Sequence, residues 1–262
     1  GFSQNASQAI ISVSEFLGIS LEQSEPETHP VRRPATTEPM FLPPSTIASD
    51  GLNNSTSLFT ITGTVSYVTG NSAAGDLPAS STMAIEGTHS FSRVNGTSTL
   101  TSSAIDTSGY TGNQLTFRLA AFSVGSVGNG MDPADTVTVS ISPNNGTTYY
   151  PTLQLAGPTA NNAVWAYSAT GVATTAYDGD ATAVVFAPAG AGVRTTDGYS
   201  TVTVTGLPST TNLRVRIALV NNSTAERWTL DDVVITGTAV PAPTVTSVSP
   251  TSGSTSGGFT LT

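Results

Sequence analysis

Residues 132–149 read Asp132-Pro133-Ala134-Asp135-Thr136-Val137-Thr138-Val139-Ser140-Ile141-Ser142-Pro143-Asn144-Asn145-Gly146-Thr147-Thr148-Tyr149. Val137, Val139 and Ile141 alternate with Thr138 and Ser140. That period of two puts apolar side chains on one face of a strand and hydroxyls on the other. Two acids and a proline precede the run, and Asn145-Gly146 closes it with a dipeptide suited to a tight hairpin turn. The stretch reads as a half-buried strand with a polar rim. The same alternation returns in Val202 and Val204, and again in Leu213, Val215 and Ile217.

Working outward, strand-like runs fall at 57–67, 114–122, 163–169, 181–186, 200–205, 212–220 and 232–236. Turn signals separate them, including Asp178-Gly179 and Asp197-Gly198. Many short strands with such turns predict an all-β fold, an antiparallel jelly-roll β-sandwich over residues 48–238. No short repeat period supports a solenoid or propeller. Trp165 and Trp228 both sit in strand patterns and are expected in the core or on a sheet face.

Composition narrows the setting. The chain of 262 residues has no cysteine, which excludes disulfides, thiolate metal sites and cysteine nucleophiles. All eight basic residues are arginines, and they are scattered along a chain of net charge −9. A phosphate-binding face needs clustered cations, so nucleic acid is not an expected partner. No apolar run is long enough for a membrane span. A cysteine-free, Thr- and Ser-rich β chain points to a secreted bacterial protein, extracellular or on the cell surface.

Residues 1–47 differ from the rest. Ile10, Ile11, Val13, Phe16, Leu17 and Leu21 form an apolar stripe in 5–23 that needs cover, either from its own domain or from a neighbouring copy. Residues 24–47 carry prolines at 26, 30, 34, 39, 43 and 44, which favour extended backbone. The reading is an N-terminal extended arm and linker.

Two stretches carry family likeness. Leu115-Thr116-Phe117-Arg118-Leu119, the run 132–149, Arg194-Thr195-Thr196-Asp197-Gly198-Tyr199, Leu213-Arg214-Val215-Arg216-Ile217 and Trp228-Thr229-Leu230-Asp231-Asp232-Val233 follow one another in an order that resembles MAM-like and carbohydrate-binding-module-like jelly rolls of Bacteroidota surface proteins. The resemblance covers about 75–238. The second stretch, 242–262, holds Pro250, Gly253, Gly257 and Gly258 where the IPT/TIG family has a strand ending in Ser-Pro and then a Gly-rich turn. It is similar to the first strands of that immunoglobulin-like sandwich.

The chemistry expected is sparse. His29 and His89 have no nucleophile-elbow context, and two distant histidines make a poor zinc pair. Glu86 or Glu226 with a nearby Asp can be drawn as a glycosidase pair, yet no aromatic sugar platform accompanies either. The expectation is therefore no enzyme. Calcium, which takes oxygen ligands from rim loops, is the cofactor expected. Its candidate ligands are Asp231 and Asp232, where the resemblance implies a structural site, and Asp132 and Asp135, which flank the turn into a strand. The ordinary alternative for all four is a turn acid capping local amides. The functional expectation is a structural or adhesive surface protein, self-assembling as a homo-oligomer or filament through its arm and strand edges. The alternative is a carbohydrate-binding accessory module of a larger secreted enzyme, with surface polysaccharide as partner.

Overall fold

The alternating runs fold as strands, with apolar and hydroxyl positions separated onto opposite faces. A computed structural model describes residues 42–159, 162–190, 192–193 and 196–243. The chain divides into two units, residues 1–41 and 42–262, and the described residues all belong to the second. The apolar arm at 5–23, His29, most of the proline-rich linker and the IPT/TIG-like stretch from 244 onward lie outside them.

The strands run in chain order as β1 (Ser45–Asp50), β2 (Phe59–Gly63), β3 (Tyr67–Thr69), β4 (Asp76–Leu77), β5 (His89–Val94), β6 (Gly96–Ser102), β7 (Tyr110–Val124) and β8 (Thr136–Ser142). They continue as β9 (Tyr150–Ala156), β10 (Ala163–Val164), β11 (Gly171–Ala176), β12 (Val184–Phe186), β13 (Gly192–Val193), β14 (Tyr199–Thr205), β15 (Arg214–Asn221) and β16 (Glu226–Ala239). One sheet has the order β11-β14-β7-β16-β5-β3, with β1 beside β16 and β4 beside β7. The other has the order β12-β9-β8-β15-β6-β2, and β10 pairs with β13 separately. This is the all-β sandwich expected.

Inner faces are built by the alternation. Val137, Val139 and Ile141 of β8 and Val215, Ile217 and Leu219 of β15 are fully buried in one core with Leu115, Phe117 and Leu119 of β7 and Val202 and Val204 of β14. Trp165 and Trp228 meet edge to face in that core, ring centroids 5.5 Å apart. Each indole N–H reaches a carbonyl, of Leu119 and Val220 respectively, so neither ring leaves a buried donor unpaired. A Cβ at Gly198 would overlap the Trp165 side chain, which explains a glycine there. Truncating such a tryptophan costs about 3–5 kcal/mol.

Three features depart from the sequence reading. The run 57–67 is two strands, β2 and β3, because the chain crosses from one sheet to the other at 64–66. Pairing is antiparallel in the centre but parallel for β9–β12, β11–β14 and β10–β13. Between β9 and β14 the chain shuttles from sheet to sheet, and a strand that returns to the same edge after two crossings comes back in its original direction. Third, β1 begins at Ser45, inside the stretch read as linker, and pairs with β16 from Ser45↔Gly237 to Asp50↔Val233.

The dipeptide Asp231-Asp232 has a structural explanation. Before it, Trp228 and Leu230 face inward; after it, Val233 and Ile235 do. The parity of the strand flips. The β16–β7 register breaks between Asp231 and Val234, and Asp232 takes φ +50°. This is a β-bulge with Asp in the left-handed region that its short polar side chain tolerates.

Candidate functional site

Acidic side chains collect in two different ways on this scaffold. In the first, backbone amides surround a carboxylate. Asp231 is fully buried on the outer face of the larger sheet; its Oδ2 accepts the Ile85 and Glu86 N–H groups (2.6 and 3.2 Å) and its Oδ1 accepts that of Asp232 (2.7 Å). Burial pushes its carboxyl up, and these amides hold part of the rise back. Asp50, at the end of β1, accepts from the amides of Leu52, Ser57 and Leu58 and from the Thr56 hydroxyl. Asp50 thus stitches a loop to its strand end, and Asp231 stitches one to the bulge within β16.

In the second arrangement, carboxylates face one another. Asp132 and Asp135 lie in the β7–β8 link and Glu226 opens β16; one carboxylate oxygen from each lies within 4.8 Å of the others. Asp135 is fully buried and Glu226 is 7% exposed. The loop that carries the two aspartates is held by its own turn and by the β15–β16 link. Asp132 N–H donates to Asp135 Oδ2 (2.8 Å), Ala134 N–H to Asp132 Oδ1 (2.7 Å), and Asn222 N–H to Asp135 Oδ1 (3.0 Å). Gly157 permits this closeness, since a Cβ there would sit 2.1 Å from the Asp132 carbonyl oxygen.

The electrostatics of this cluster are adverse. Burial, and then the charges of Asp135 and Asp132, push the Glu226 carboxyl up to about 8. Burial likewise raises Asp135, against the amides of Asp132 and Asn222. Arg227, next in sequence, turns instead to Asp76 at 3.9 Å. Among the described residues no arginine pairs with any of the three. Three carboxylates without a nitrogen or sulfur ligand make an oxygen-only donor set, which suits a hard divalent cation.

Of the four residues expected to bind metal, the fold thus unites Asp132 and Asp135 and sets Asp231 and Asp232 elsewhere. Glu226 completes the cluster. The sequence reading singled it out only as a possible glycosidase carboxylate, because its partners are far away along the chain and no local spacing announces them. His89 Nδ1 lies against the Thr88 hydroxyl (2.8 Å) and Asn53 Oδ1 (3.3 Å), at the surface, with no nucleophile among these contacts.

A further feature is the flap 78–88, which lies on the outer face of the larger sheet. Met83 packs with Ala120, Phe122 and Tyr167 in a second small core. Met83 N–H bonds the Gly70 carbonyl and Ser90 Oγ bonds the Met83 carbonyl. On β5, Ser90 and Ser92 are buried on the flap side while Phe91 is buried in the main core. Two cavities flank the flap and share Thr82. One, of about 390 Å³, is lined by Ser80, Ser81, Thr82, Ile85, Ala166, Tyr167 and Ser168. The other, of about 270 Å³, is lined by Thr69, Gly70, Asn71, Thr82, Ala84, Gly87 and Thr88. Neither lining contains a charged side chain.

No protein-family model matches the chain, and no curated protein matches it. Among solved structures, a cleaved adhesin domain of Lys-gingipain from Porphyromonas gingivalis is 16% identical at TM-score 0.37, with 74% of this chain and 99% of that one covered. The N-terminal endo-1,4-β-D-xylanase 10B of Clostridium thermocellum, complexed with xylohexaose, is 12% identical at TM-score 0.35, with 76% and 30% covered. Exo-β-1,3-galactanase from Phanerochaete chrysosporium, with β-1,3-galactotriose, is 10% identical at TM-score 0.29, with 73% and 29% covered. None of these similarities assigns a role to a residue of this chain. Among the described residues no helix is long and apolar enough to cross a membrane.

Proposed function

We propose that this chain is a non-catalytic extracellular adhesive module that holds a neutral glycan along the flap. The observation that carries the reading is the pair of charge-free, hydroxyl-lined cavities meeting at Thr82. A neutral sugar presents hydroxyls that both donate and accept, and Ser and Thr side chains answer in kind. The larger cavity falls within the range of small-ligand sites, about 300–1,000 Å³. The flap is tied to the sheet through Met83 and through Asp231, so the groove is formed before a ligand arrives, which lowers the ordering cost of binding. In a secreted or surface-attached protein such a groove serves attachment to polysaccharide rather than its cleavage.

Affinity electrophoresis through gels containing neutral polysaccharides tests this. Retardation by at least one, weakened at least tenfold by Thr82→Arg with the fold intact by circular dichroism, is the expected result. Uniform migration in every neutral polysaccharide defeats it.

Self-association through strand edges is a second reading, favoured by one observation. Strand β11 and strand β12 are edge strands of the two sheets, and β11 packs near β9, the neighbour of β12. Val172 of β11 and Val184 and Val185 of β12 are 52%, 44% and 59% exposed. Exposed apolar edges of this kind template pairing with another chain. Light scattering should then give a mass above the monomer that Val185→Lys returns to the monomer; a monomer at every concentration ends this reading.

A further inference from the structure

We propose that Asp132, Asp135 and Glu226 form a calcium site that staples together two neighbouring crossings between the sheets. The link from β7 to β8 leaves the larger sheet for the smaller, and the link from β15 to β16 returns. Asp132 and Asp135 belong to the first link; Glu226 begins the strand that follows the second. A cation held among them would fasten the sandwich at the end where its two layers are joined.

The cluster alone does not make the argument. Asp132 and Asp135 by themselves would be an ordinary acidic turn, capping the amides of Asp132 and Ala134 locally and that of Asn222 across the neighbouring link. Glu226 is the independent observation. Its side chain comes from a different element and is more than nine-tenths buried. Its Oε2 has no hydrogen-bond partner, although the carboxylate lies within reach of both aspartates. An unpartnered buried carboxylate oxygen costs its full desolvation. Such a side chain beside two further carboxylates, with no arginine paired to it among the described residues, is placed as a cation ligand would be. A carboxylate oxygen already accepting one N–H retains a lone pair for a metal, so the amide bonds to Asp132 and Asp135 orient these ligands without using them up.

The donor chemistry selects the ion. Oxygen ligands from a loop and a strand's first residue, with remaining positions open to carbonyls and water, fit the flexible sphere of calcium better than the strict octahedron of magnesium. Zinc would draw on nitrogen or sulfur, and the cluster has neither. This inference does not rest on the glycan reading, which concerns the flap and its cavities.

The test uses the whole chain, stripped with chelator, with calcium chloride as the probe. At a hundredfold excess over the dissociation constant, a ligand that binds only the folded state should raise the melting temperature by about 5–10 °C. Native mass spectrometry should show one calcium per chain at this site. Glu226→Gln should abolish the thermal shift, and Asp132→Asn, at the half-exposed position, should reduce it in case the first variant folds poorly. Asp232→Asn should leave it intact. The inference is overturned by a wild-type melt that calcium does not move. It is equally overturned by a shift that survives Glu226→Gln and Asp132→Asn but vanishes in Asp232→Asn.

Discussion

Asp231 and Glu226 sit five positions apart on the same strand, both buried, with opposite surroundings. Asp231 lies at a bulge where the flap and its own strand turn three N–H groups toward it. Glu226 lies at the strand's first residue, where the facing loop turns two carboxylates toward it. A buried charge is tolerable when fixed dipoles replace the water it lost, and the first site supplies them. The second supplies repulsion. Burial alone therefore does not distinguish a structural acid from a ligand; the sign of what faces it does.

The largest effect expected is on the amide-bound acids. Asp231→Ala and Asp50→Ala each leave several donors without an acceptor and should cost about 3 kcal/mol or more in urea denaturation. The loss should be the same with calcium as with chelator. A loss under about 1 kcal/mol would mean that water satisfies these amides and that the contrast with Glu226 is overdrawn.

Next comes pH. In calcium-free protein the folded state holds the Glu226 proton up to about pH 8, while the unfolded chain releases it near the ordinary 4.5. Between these values the folded state binds more protons, so stability falls as pH rises and levels off beyond about 8. Asp135 and Asp231, also raised, add the same sign at the acid end. Calcium should reverse the trend, because it binds the ionised carboxylates and its contribution grows as they lose protons. Chemical denaturation at pH 5, 6.5 and 8 in chelator and in calcium would reveal parallel curves if the cluster held no metal.

Glu226→Gln should then raise stability near neutral pH in chelator by on the order of 1 kcal/mol, since it removes a carboxyl that must take up a proton to be buried. It should also flatten the pH dependence. A destabilised variant in chelator would place Glu226 with Asp231 as a structural acid. Smallest of all is Asp106→Ala. The Ser108 hydroxyl and amide hold the Asp106 carboxyl below its ordinary value, but the group is fully exposed, so solvent screens the interaction. Its melt should match wild type; a clear loss would show that surface turn acids matter more here than screening allows.

The sequence by itself determined which residues lie between the sheets. Val137, Val139 and Ile141, Val202 and Val204, and Leu213, Val215 and Ile217 are buried as their alternation requires, because the period of two is a property of the strand backbone. It also carried the turns and the all-β class. Tertiary structure decided what alternation cannot express. The covered strand β5 buries serines on its outer face because a flap from elsewhere lies over it, so its polar face is not a solvent face. The parallel edges follow from the order in which the chain crosses between layers. That Asp231-Asp232 forms a bulge was not legible, since a parity flip shows only once both flanks are seen packed. Glu226 joins Asp132 and Asp135 for the same reason: the links of two sheets end side by side. A carboxylate's role depends on the charges and dipoles that face it, and only the folded chain brings those into range.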